Sequence, residues 1–186
     1  MAKVNRAEKP RCLQNYKFDK TKKTWILSNK KINWDTNTKK NNNAKIEVKK
    51  VLMEMCDNTC PFSFITSPPE LFFEIEHFKP KSKFLELEFE WDNLFPIYRY
   101  INTKKSTNFP EGLKSPEEID YLEILRFNTF KGTDNYGKVE PVDNSEDAKI
   151  IINTYKLNDE NLIQARIFWF ELTELKTAKY PFKQLF

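Results

Sequence analysis

The chain has 186 residues, a net charge of +4 at pH 7, and 16 phenylalanines within an aromatic content of 15%. That length suits one domain burying roughly two thirds or more of its unfolded surface, with no need for a second core. Three cysteines cannot pair off, the Met1 to Arg6 start has no apolar signal core, and no apolar run nears the ~20 residues that span a bilayer, so the expectation is a cytoplasmic protein without membrane association.

Charge is distributed unevenly: lysines crowd the stretch from Lys17 to Lys50, and carboxylates gather from Glu70 to Glu90. This favours a polyanionic partner only weakly over a solvated basic face. Up to about residue 50 the pattern reads as a partly irregular, basic extension with isolated anchors at Trp25, Ile26, Leu27 and Trp34. Residues 51–186 would form the remaining domain. Ile46, Lys49, Val51, Leu52 and Met55 lie close to helical spacing, predicting a short amphipathic helix that ends in a turn at Asp57-Asn58.

Leu71 to Phe78 is rich in aromatic and branched residues and stops at Lys79-Pro80, which predicts a strand. From Phe84 to Trp91 the alternation of Glu86, Glu88 and Glu90 with Leu85, Leu87 and Phe89 predicts its hairpin partner. Leu94 to Tyr98 is short, apolar and interrupted by proline, and Arg99 to Lys105 reads as a brief helix. Strand, strand and helix in this order give the outline of a ββα-metal unit, so the expected class is α+β.

Further on, Ser115-Pro116-Glu117-Glu118 is a capping box with proline at the first helical position, predicting a helix through Ile119, Leu122 and Leu125. Ile124 to Phe130 could instead be a strand paired with Lys138-Val139-Glu140 across a turn bracketed by Gly132 and Gly137. Asn144-Ser145-Glu146-Asp147 caps a helix carrying Ala148, Ile151, Ile152 and Tyr155. Leu157-Asn158-Asp159-Glu160 opens a last helix with Leu162, Ile163, Ile167, Phe170 and Leu175 on a broad apolar face.

Chemistry concentrates around His77, the only histidine. Phosphodiester hydrolysis needs a base for water, a cation for the developing charge, and a frame that holds both. An imidazole, with an unperturbed pKa of ~6.5, suits a base near neutrality. Glu76 and Asn102 could each offer a hard oxygen to a divalent ion, and Asn93 lies between them where an amide can fix a loop.

The run Glu76-His77-Phe78-Lys79-Pro80-Lys81-Ser82, followed by Trp91-Asp92-Asn93-Leu94, Asn102-Thr103-Lys104-Lys105 and Phe109-Pro110, resembles the His-Asn-His (HNH) endonucleases. The likeness is to the small HNH proteins of Septu and retron-associated antiphage systems. The resemblance implies a ββα-metal (His-Me finger) core with a basic N-terminal segment and C-terminal helices. It further implies His77 as general base, Asn93 as loop organiser, and Glu76 with Asn102 as ligands of Mg²⁺ or Mn²⁺. Lys79, Lys81, Lys104 and Lys105 would line a phosphate track on DNA. An effector nuclease governed by a partner ATPase is the implied setting; self-association stays open.

The chain departs from that family where two Cys-x-x-Cys pairs would hold zinc, for it has Cys60-Pro61-Phe62-Ser63 and Tyr98-Arg99-Tyr100-Ile101. Tyrosine and isoleucine cannot complete a thiolate site, so no structural zinc is expected, and Tyr98 and Ile101 are expected to pack on Phe62, Phe64 or Phe95. Blander readings stand beside these. A lone histidine is usually structural, lysines are more often solvated, and Cys56 and Cys60 read as buried thiols. Phe168, Trp169 and Phe170 cannot all face one core, which suggests a surface for a second protein. Alternatives to a DNA endonuclease are a nuclease acting on RNA and a degenerate module that binds nucleic acid or a partner without cutting.

Overall fold

The computed structural model describes residues 3–27, 30–32, 39–65 and 72–174. Trp34, Leu71, Leu175 and the side chain of Trp169 lie outside the described residues. The fold is mixed α+β. Strands β1 (Lys17–Asp19), β2 (Thr24–Leu27) and β3 (Lys30–Ile32) form a small antiparallel sheet in chain order, followed by helix α1 (Lys39–Met55). Next come β4 (Phe73–His77), β5 (Leu94–Tyr98) and helix α2 (Arg99–Lys105). The remainder comprises α3 (Tyr121–Ile124), β6 (Leu125–Phe127), β7 (Val139–Pro141), α4 (Glu146–Tyr155) and α5 (Glu160–Glu174).

The partner of β4 differs from the sequence expectation. It pairs antiparallel with β5, Phe73 opposite Tyr98 and His77 opposite Leu94, while the 84–91 stretch forms no strand. Instead the chain makes 3-10 turns at Leu85–Leu87 and Trp91–Asn93. The reason is a competition for backbone and side-chain partners. The Leu85 carbonyl accepts the Trp25 indole N–H at 2.8 Å, the Leu87 carbonyl accepts the Asn93 amide at 3.2 Å, and the Phe89 ring wedges against Tyr16 and Trp25 at 4.7 and 5.4 Å. The apolar run 94–97 is buried along its whole length, so it gains more by covering β4 than the alternating segment would.

The residues before 50, expected as a partly irregular extension with isolated anchors, contribute a three-stranded sheet and part of a core. Leu13, Tyr16 and Trp25 are packed with Val48 and Leu52 of α1 and with Phe89, Trp91 and Leu94. Arg6 fastens the same region: its guanidinium lies 4.3 Å from the Phe95 ring centre, pairs with Glu117 at 2.5 Å and donates to the Leu94 carbonyl at 2.5 Å. Helix α1 is longer than its predicted core, and Ile46, assigned to the apolar face, is 68% exposed. The turn at Asp57-Asn58 is present, with φ of 49° and 56°.

A second core joins Phe62, Phe95, Ile97 and Ile101 to Tyr121, Ile151, Tyr155 and Leu162, so the C-terminal helices cover the β4–β5–α2 unit. The capping box forms in part, since the Glu118 carboxylate accepts the Ser115 N–H at 2.6 Å, but only turns follow until Asp120 caps α3 through the Leu122 N–H. The alternative hairpin is the one realised, with Arg126 opposite Glu140 and Phe127 opposite Val139. Asn158 clamps it, its amide bonding both the N–H and the carbonyl of Val139 at 2.7 and 2.8 Å. Among the described residues no helix is long and apolar enough to cross a membrane.

Gly137 sits at φ +80°, and a Cβ there would meet Ile167 Cγ1 at 2.7 Å and the Ile163 carbonyl oxygen at 3.0 Å. Both the left-handed backbone and the contact with α5 demand glycine. Gly137→Ala should therefore lower unfolding free energy by about 2–3 kcal/mol, read as a shifted midpoint in urea with an unchanged slope.

Candidate functional site

Helix α2 follows β5 directly and returns along β4, so three residues of helix are matched to two of strand. Asn102 donates from Nδ2 to Glu74 Oε2 at 2.8 Å, and one turn later Lys105 forms an ion pair with Glu76. Glu74 and Glu76 share one face of the strand by the pleat. Arg99, at the start of the helix, holds the other oxygen of Glu74 at 2.9 Å.

His77 ends β4 and is buried. Its Nε2 lies 2.9 Å from the Glu88 carbonyl oxygen. A carbonyl only accepts, so Nε2 carries the proton and the lone pair of a neutral ring resides on Nδ1. Asn93 secures the loop that supplies this carbonyl. Its Oδ1 accepts the Lys79 N–H at 2.8 Å, and its Nδ2 donates to the carbonyls of Lys79 and Leu87 at 3.0 and 3.2 Å. Both ends of the 78–93 loop are thus tied to one amide.

An open groove of about 540 Å³ runs beside β4. Glu74, Glu76, His77 and Asn102 line it together with Lys81 and, from α1, Lys45, Ile46 and Lys49. Of the residues expected to act, Glu76, His77, Asn102 and Lys81 are brought together, with Asn93 holding the loop behind them. The other three lysines are not part of this groove. Lys79 is exposed on the loop, and Lys104 is turned to Asp159 at 3.0 Å and lies over the Tyr100 ring.

Lys105 is a correction to the phosphate track. Its side chain is fully buried, pairing with the Glu76 carboxylate and reaching the His77 carbonyl at 3.5 Å, so it holds the backbone of the motif and meets no solvent-borne phosphate. Glu76 is correspondingly less available than a surface carboxylate. Burial pushes its carboxyl up to about 6, partly countered by the Lys105 ammonium.

Glu74, Lys45 and Lys49 were not singled out from sequence. The signals were present: Glu74 precedes Glu76 by two on a strand, and Lys45 and Lys49 are spaced i, i+4 on a helix, each placing a pair on one face. At the positions where zinc cysteines would sit, Ile101 is buried in the core with Phe62 and Phe95, while Tyr98 lies against Phe73 at 6.4 Å and offers its N–H to Cys60 Sγ at 3.4 Å. Burial raises the thiols of Cys56, to about 12, and Cys60, leaving them poor nucleophiles at neutral pH.

The sequence matches no protein-family model, and no curated protein matches it.

Removing the buried ammonium should expose the cost of Glu76. Lys105→Met leaves the carboxylate without its cation, so the Glu76 carboxyl should titrate above its native value of about 6, followed by carboxyl NMR. The loss of stability should be about 3–5 kcal/mol at pH 8 and smaller at pH 5, because protonation relieves an uncompensated buried carboxylate. A penalty that grows toward acid pH would contradict this account.

Proposed function

We propose that the groove is a metal-dependent phosphodiesterase site of the HNH kind, acting on DNA as an endonuclease, with β4, β5 and α2 as its ββα-metal unit. The observation that carries the reading is the orientation of His77. Its ring is fixed through Nε2 by a loop carbonyl, and its basic Nδ1 belongs to a side chain lining an open groove beside Asn102 and two glutamates. The resemblance of the Glu-His-Phe-x-Pro-Lys-Ser and Trp-Asp-Asn-Leu runs supports it, and implies an effector nuclease under a partner ATPase.

In this mechanism His77 Nδ1 accepts a proton from water as the water oxygen attacks phosphorus in line with the leaving oxygen. Asn93 is a positioning residue, acting through the loop that carries Glu88. Lys105 is another, through the His77 carbonyl and Glu76.

Among the described residues no three His, Cys, Asp or Glu side chains converge as a metal cluster. The donors instead fit a hard cation that retains water, taking one or two carboxylates with an amide oxygen. Glu74 and Asn102 are already in contact, and rotating the Asn102 amide turns its oxygen to the position now held by nitrogen. Glu76 is the second carboxylate, held back by Lys105. When bound, a divalent cation supplies neutralisation of charge on the phosphate and the leaving oxygen.

Plasmid cleavage in Mg²⁺ or Mn²⁺ tests the reading. His77→Ala should slow it by about a hundredfold to ten-thousandfold. Cleavage at the native rate would remove His77 from the reaction. For the polyanion, replacing both Lys45 and Lys49 with glutamine should flatten the dependence of log K on log salt by about one to two phosphate contacts. An unchanged slope would place the backbone elsewhere than along α1.

A further inference from the structure

A second concavity, of about 290 Å³, opens beside the groove and is lined by Phe72, Tyr98, Arg99, Tyr100, Thr103 and Lys104. Their walls meet at one ion pair: Arg99 lines the cleft, and its partner Glu74, 2.9 Å away, lines the groove. Aromatic rings and cations therefore sit one helical turn from Asn102.

Phe72 is 47% exposed, although a phenyl ring gains from burial. Its ring centre is 6.3 Å from that of Tyr98 and tilted by 54°, leaving an open wedge rather than a closed stack. The rest of the wall is fixed in place. Tyr98 rests edge-on against Phe73, the Tyr100 hydroxyl bonds Asp159 and accepts from Asn161 at 2.8 Å, and the Lys104 ammonium stands 5.1 Å above the Tyr100 ring.

Aromatic faces flanked by arginine and lysine match the chemistry of an unpaired nucleotide: the base stacks on a ring and the phosphate meets the cations. A base inside a duplex has both faces covered by its neighbours and offers only its edges, so it cannot enter such a wedge. Both cations hold carboxylates, Arg99 with Glu74 at 2.9 Å and Lys104 with Asp159 at 3.0 Å, so a phosphate would compete with those pairs for them. The volume of the cleft, close to the ~300 Å³ lower end of small-ligand clefts, suits a single base rather than a longer apolar segment.

We propose that this cleft takes an unpaired nucleobase next to the scissile phosphate, making the substrate of the groove single-stranded or locally unpaired. The proposal rests on the nuclease reading of the groove, which it extends by naming the form of the substrate. A strand would run from the α1 lysines past His77 and Asn102 and turn one base over Arg99 into the wedge.

The test uses the full chain with Ca²⁺ in place of Mg²⁺, and oligothymidylate, which forms no duplex of its own, against a blunt duplex of equal length. The native protein should bind the single strand more tightly. Phe72→Ala should weaken single-strand binding by about fivefold to a hundredfold, and Phe72→Trp should restore it, with indole fluorescence quenched on addition of oligothymidylate. Equal losses on both substrates, or an unquenched indole, would overturn the cleft; so would quenching by an unrelated apolar peptide but not by the oligonucleotide. Quenching without His77-dependent cleavage would retain the cleft and reject the nuclease reading, and His77-dependent cleavage without quenching would do the reverse.

Discussion

The buried contact between Lys105 and Glu76 sets the relation between α2 and β4, and the groove is built on that relation. Lysine and glutamate are among the residues least often fully buried, and a pair of apolar side chains at these positions would commonly be as stable or more so. What the pair supplies is position. Lys105 lies in the last turn of α2 and meets Glu76, while Asn102, one turn earlier, meets Glu74. Two contacts three residues apart on a helix and two apart on a strand leave little freedom to rotate or slide. Lys105 also reaches the His77 carbonyl, so the backbone of the candidate base is held from the helix side while Asn93 holds the loop from the other.

With an ammonium on Glu76, the carboxylate that faces Asn102 is Glu74. The consequence is a division of labour between two acids on one strand face. One is neutralised and structural in the described state; the other is half-exposed and bonded to the amide expected to serve a cation. The apolar support beneath is equally specific. Phe62 stacks on Tyr155 at 4.5 Å and meets Phe95 at 5.7 Å, and Ile101 is buried beside them, so the start of α2 is anchored by ring packing.

Much of the central unit was legible in the sequence. The strand ending at His77, the helix from Arg99 to Lys105, the Asp57-Asn58 turn and the caps of α4 and α5 all follow from local signals. The second strand did not, because alternation over 84–91 is a local signal that cannot show which segment competes better for the edge of β4. Pro96 counted against the true partner, yet a proline is tolerated in an outer strand of a two-stranded ribbon, and it stands opposite Ile75. The N-terminal sheet was missed because strands of three or four residues carry no measurable period; Trp25 is fixed by contacts about sixty residues away. Burial of Lys105 was illegible for the same kind of reason, since nothing around it in sequence shows that Glu76 lies opposite.

The charge pattern of the groove links its two expected occupants. Three lysines line it, Lys45, Lys49 and Lys81, against the carboxylates of Glu74 and Glu76. For a phosphate in the groove the lysines would be attractive and the Glu74 charge opposing, while Arg99 and Asn102 hold that carboxylate in place. On the proposed reading, a divalent cation held by Glu74 and Asn102 would reverse that opposition. It would also compete with Arg99, whose guanidinium lies between groove and cleft, for the Glu74 carboxylate. Cation and strand would then favour each other, because a cation held by Glu74 would leave the Arg99 guanidinium available to a phosphate. The ion pair of Arg99 with Glu74 thus stands between the proposed base-binding cleft and the proposed hydrolytic groove.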